Sequence, residues 1–118
     1  MADHSTPESV IEVLEGIVTQ GIAALAGSGI DANQVLAYDV AHAAAATQTA
    51  RGLLSYSAKG ELEANLTHAF IADAAAELAG KVFGREQEWG VEPTAFDSIR
   101  TYVAAHRDPA FLAALAGK

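Results

Sequence analysis

Asp39 and His42 stand one helical turn apart in the stretch AYDVAHAAAATQTARGLL, residues 37–54. In a helix that spacing puts both side chains on one face. A carboxylate and an imidazole so placed can share a proton or ligate a metal ion. Val35, Ala46, Thr49 and Leu53 fall on the same stripe, so the pair keeps apolar company. The next helical stretch adds His68, Asp73 and Glu77 as further metal-ligand candidates. Carboxylate-bridged di-metal bundles place an acid and a histidine at i and i+3, but they do so twice and add further glutamates. Here the pattern occurs once, as Asp39-x-x-His42, and Glu-x-x-His does not occur. The simpler reading is that Asp39 and His42 satisfy each other or pair with a neighbouring helix.

Other chemistry has less to stand on. Ser55 and Ser57 lie near a helix end without the G-x-S-x-G turn that exposes a nucleophile. The glycines form neither G-x-G-x-x-G nor G-x-x-x-x-G-K-[ST], so no phosphate cradle is written into the chain. Arg51 and Lys59 could hold a phosphate but read more simply as solvated helix ends. Cysteine is absent, which removes disulfides, thiolate nucleophiles and thiolate-ligated metals, and which fits a cytoplasmic protein.

The elements that must position these residues are helical almost throughout. Thr6 is a cap, Pro7 suits the first helical position and Glu8 complements the dipole. Val10, Ile11, Leu14, Ile17, Val18, Ile22 and Leu25 follow as one apolar stripe until GSG at residues 27–29. Asp31, with Gln34 three residues on, opens a second helix to about Ala58, and Gly60 closes it. Leu62, Leu66, Phe70, Ala74, Leu78 and Val82 mark a third, which FGREQEWG either continues or follows as a separate turn ending at Gly90. A fourth enters at Glu92 and Pro93, with Phe96, Ile99, Tyr102 and Val103 on its apolar side. Asp108 and Pro109 start a short fifth, with Phe111, Leu112 and Leu115 inside and Gly117 after its end. The expectation is one all-α domain over residues 1–118: an up-down bundle of four helices plus a short C-terminal one, with residues 1–7 flexible.

Composition narrows the function. The formal net charge is −8, and the seven Lys and Arg residues are not clustered, so nucleic acid and anionic membrane surfaces are poor partners. The apolar stretch from Val10 to Ala26 is interrupted by Glu12, Glu15, Thr19 and Gln20 and does not read as a membrane span. Much of the hydrophobic content is alanine, with four Phe, three Tyr and one Trp, so the core is thin and some burial against a partner is expected. Alanines 41–46 line all sides of their helix except at His42, the pattern of a surrounded helix. Close packing of backbones explains this better than a groove for an acyl chain, which needs larger apolar walls. Tyr38, Phe70 and Trp89 are the large anchors available for an interface, and Trp89 serves equally as an internal anchor for the end of the third helix.

The text AYDVAHAAAATQTARGLLSYSAKGELEANLTHAFIADAAAELAGKVFGREQEWGVEP, followed by RDPAFLAALAG, resembles the helical N-terminal extension of bacterial acyl-CoA dehydrogenases of the methylsuccinyl-CoA dehydrogenase-like group. The resemblance spans residues 32–117 and is most specific in GREQEWGVEP and DPAFLAAL. It implies a non-catalytic accessory or oligomerisation module that packs on a dehydrogenase core or on a second copy of itself. In that family, the core carries FAD and a carboxylate base that removes the α-proton. None of those core segments is matched here, so the resemblance assigns no catalytic or cofactor-binding residue to this chain. The alternative from the residues themselves is a small metal- or ligand-binding bundle built on Asp39, His42, His68, Asp73 and Glu77.

Overall fold

The computed structural model describes residues 4–117. Three long helices dominate: α1 (Pro7–Ser28), α2 (Gln34–Ser57) and α3 (Glu61–Val82). They are followed by a single-turn α4 (Glu86–Trp89), a 3₁₀ turn (Asp97–Ile99), α5 (Arg100–His106) and α6 (Pro109–Ala116). No strand occurs among the described residues, and the fold is an all-α bundle. Short connections make α1, α2 and α3 antiparallel neighbours. α2 packs most extensively against α3 and then α1, and α5 packs against α3.

α1 forms as its sequence dictates. The Thr6 hydroxyl accepts from the Ser9 amide, Pro7 occupies the first turn, and Gly29 takes φ 87° at the C-terminus. Val10, Ile11, Leu14, Ile17 and Val18 of its stripe are buried, whereas Ile22 is exposed and Leu25 half-buried where the helix runs out past the core. By length and apolarity α1 alone could cross a membrane, but in the bundle this stripe lies in the core and Glu15 is ion-paired to Arg51 on α2. The expected flexible start lies partly outside the described residues; within them, the His4 amide donates to the Ser98 carbonyl and ties the segment to the 3₁₀ turn.

α2 departs from expectation in register. Its N-cap position is Asn33, and Asp31 lies in the preceding turn. The buried stripe is Leu36, Val40, Ala43, Thr47 and Ala50, rotated by one residue from Val35, Asp39 and His42. Val35 and His42 are exposed and Asp39 sits at the boundary. Nor is this alanine helix surrounded: Ala41 and Ala45 are exposed. Buried Thr47 needs no distant partner, because its hydroxyl donates to the Ala43 carbonyl at 2.7 Å. Gly60 is the residue before α3, in extended backbone, and does not form a left-handed stop.

The chain after α3 is the least regular part. Gly84 and Gly90 both adopt positive φ, isolating α4 as one turn between them. The fourth helix does not begin at Pro93. Residues 92–99 form successive i→i+3 turns, Ala95 to Glu92, Asp97 to Thr94 and Ile99 to Phe96, before α5 starts at Arg100. This winding carries Val91 and Ile99 into the core on either side of an exposed Pro93. α6 is capped as anticipated, with the Asp108 carboxylate accepting from the Ala110 and Phe111 amides. It buries none of its residues, however; Leu112 is exposed, and Phe111 and Leu115 are half-buried.

Candidate functional site

The five candidate ligands do not converge. Asp39 turns to the end of α3 and the start of α4, where its carboxylate accepts from the Arg85 guanidinium at 2.7 Å and lies 3.8 Å from the Lys81 ammonium. Arg85 also grips Glu88 at 2.7 Å, and Lys81 is 3.9 Å from Glu77. Asp39 and Glu88 hold the Arg85 guanidinium still further above its usual pKa, so it is a fixed cation. The network joins α2, α3 and α4 as a half-buried clamp. His42 does not join Asp39; its ring lies 4.4 Å from that of Tyr38, on an exposed face. Asp73 meets Arg107, the residue just after α5, at 3.3 Å. Among the described residues, no three His, Asp or Glu side chains gather around a common point.

His68 enters an aromatic corner that the sequence did not disclose. Its Nδ1 is 2.7 Å from the Tyr102 hydroxyl, and its ring stacks on His106 with centroids 4.6 Å apart and planes 19° apart. Tyr102 is buried, and burial together with the charge of Glu8 holds its phenol protonated well above the ordinary range. Burial, with the neighbouring His106, pushes the pKa of His68 below that of a free imidazole. His106 donates from Nδ1 to the Tyr102 carbonyl at 2.8 Å, because that oxygen can only accept. Phe111 of α6 then sets its ring edge-on to His106 at 5.2 Å.

The three aromatic anchors fare differently. Tyr38 is exposed, and Phe70 is exposed over about a third of its surface. Trp89 is fully buried and cannot anchor an outer surface of this chain. Its indole lies over Gly21, where an added Cβ would meet the ring at 2.8 Å. A glycine in mid-helix is thereby explained as the floor of a notch for the indole. The Trp89 indole N–H is the one buried side-chain nitrogen or oxygen among the described residues without a partner.

An apolar concave surface lies elsewhere. A groove of about 620 Å³ runs between the C-terminal half of α3 and the turns leading into α5. Ala75, Ala76 and Ala79 form one wall, and Phe96, Ile99 and Val103 the other. Phe83 stands at its end, 83% exposed, which is unusual for a phenylalanine outside an interface. Glu86, Glu92, Asp97, Arg100 and Arg107 edge the groove. Arg100 and Arg107 are already paired, with Asp97 and Asp73, which leaves the rim net acidic. Nothing in the sequence pattern singles out Phe83 or this groove; the only hint is a large apolar residue just before Gly84. Compared with known proteins, the chain matches no family model, no curated protein and no solved structure.

Proposed function

We propose that this chain is a non-catalytic helical module that acts by packing against another protein, the core of an FAD-dependent acyl-CoA dehydrogenase being the partner that the sequence resemblance implies. The observation that carries the reading is the α3–α5 groove with exposed Phe83 at its end. Its walls are small on one side and aromatic or branched on the other, the shape into which a ridge of side chains fits. Four of the five candidate ligands support the same reading. Asp39, Asp73 and Glu77 are engaged in ion pairs, and His68 is committed to Tyr102 and His106. A net charge of −8 favours a different protein over a second copy, since two such chains repel. On this reading the flavin and the base belong to the partner, and this chain supplies shape.

Calorimetric titration of the chain into a purified methylsuccinyl-CoA dehydrogenase-type core tests the proposal. The expected result is association with a negative heat-capacity change, abolished by Phe83→Asp in a variant whose circular dichroism is unchanged. Failure to associate, or association indifferent to Phe83→Asp, overturns it. Sedimentation of the chain alone separates self-assembly from partner binding.

A further inference from the structure

α6 is the most weakly anchored helix of the fold. It buries no residue, its start is held by its own cap and by Phe111, and a cleft of about 410 Å³ lined by Phe111 and Leu115 opens between it and Glu61, Leu62 and Asn65 of α3. Its defined aromatic contact is Phe111 on His106, and His106 in turn lies flat on His68. The bundle corner is therefore closed by two parallel imidazoles. A stack of neutral rings is favourable and tolerates one imidazolium, but two imidazolium rings at 4.6 Å repel.

We propose that α6 is an acid-released latch: taking up protons on the His68–His106 stack frees α6 from the bundle while α1, α2 and α3 stay folded. The groups facing the stack decide its direction. From α5, Tyr102 offers His68 a neutral hydroxyl. Arg107, next to His106, is paired with Asp73 of α3 and gives no net relief. From α1, Glu8 favours the charged form of His68, but burial and His106 act more strongly against it. The only acid at the start of α6, Asp108, is occupied with the Ala110 and Phe111 amides. His68 is thus held neutral in the folded corner more firmly than in an unfolded chain. Stability from the corner is fully present above the unfolded imidazole pKa of about 6.5 and is lost as pH falls below it. The first element to leave is the one with least else to hold it.

Hydrogen exchange of the whole chain at pH 7.5 and 5.5, corrected for intrinsic rates, reads the latch directly. One imidazole that titrates near 6.5 in the open corner and stays neutral in the closed one changes the opening equilibrium by at most about tenfold over this interval, so protection of residues 109–116 should fall by up to about tenfold. Protection in α1 to α3 should hold over the same interval. His68→Gln, which leaves one imidazole and no charge pair, should remove the pH response. The proposal is overturned if α6 protection does not change, if all helices lose protection together, or if the response survives in His68→Gln. Should that variant fail to fold, proton NMR titration of the unmodified chain decides. α6 amides must shift with the midpoint of the His68 imidazole; a midpoint in the carboxylate range overturns the idea.

Discussion

Replacing Gly21 by alanine isolates the packing of Trp89. Two effects oppose each other. Alanine in a helix interior is favoured over glycine by about 0.5–1 kcal/mol, through backbone entropy. At this position, however, the new methyl would lie 2.8 Å from Trp89 Cε3 and 2.9 Å from Val40 Cγ2. Neither neighbour has a flexible end that can swing away, because Trp89 is fully buried and Val40 is 4% exposed. Overpacking of this kind costs about 1–3 kcal/mol, so the net expectation is a loss of about 0–2.5 kcal/mol, against a gain at an open site. Gly16 on the same helix provides the internal control, since a Cβ added there would meet nothing within 4 Å. Gly16→Ala should stabilise by up to about 1 kcal/mol from the entropy effect alone. Thermal or urea unfolding of the two variants side by side is the assay, with the fluorescence of the single tryptophan as a second probe. In Gly21→Ala the emission should shift to the red as the indole leaves its notch. If Gly21→Ala proves as stabilising as Gly16→Ala, the notch is wrong and the placement of α4 falls with it.

Three further outcomes follow from the same geometry. Asp39→Asn should destabilise by about 1–2 kcal/mol in urea unfolding, between the value of an exposed ion pair and that of a buried charged hydrogen bond, because Arg85 and Lys81 lose a half-buried partner. His42→Ala, on the exposed face, should change stability by no more than about 0.5 kcal/mol in the same assay, which separates the two members of the Asp39–His42 pair. Asp108→Ala should cost about 1 kcal/mol locally, seen as lost exchange protection in α6 with the remaining helices unchanged.

How far the sequence reaches depends on what kind of pattern each element carries. α1 is legible because large aliphatic residues recur at helical spacing between Thr6, Pro7 and the glycines at its end. α3 is legible as a helix, but only Ala74, Leu78 and Val82 of its expected stripe are buried, while Leu62, Leu66 and Phe70 are exposed and Thr67 and Ile71 face the core instead. α2 is legible as a helix but not in rotation. In a run of alanines a buried and an exposed position look alike, so the polar Asp39 and His42 mark a stripe one residue away from the buried one. The start of α5 is misplaced by sequence because Glu92-Pro93 resembles a helix entry, whereas the turns that follow serve to bring Val91 and Ile99 inward. Phe111, Leu112 and Leu115 look like a core stripe, yet by α6 the bundle has little surface left to cover them. Side-chain partners are hardest to read. Asp39 and Arg85 are 46 residues apart, and His68 and Tyr102 are 34 apart. Local spacing does not contain such pairings. Within the aromatic corner, only the i, i+4 relation of Tyr102 and His106 is written in the local sequence.

The central claim is that the bundle works through the α3–α5 face. Hydrogen exchange of this chain, alone and mixed with the dehydrogenase-type core proposed above as its partner, tests it most directly. Binding through this face adds protection in the last two turns of α3 and in α5, with none gained along the Val35–Tyr38 edge of α2. Protection confined to that α2 edge, or no difference between the two states, would contradict it.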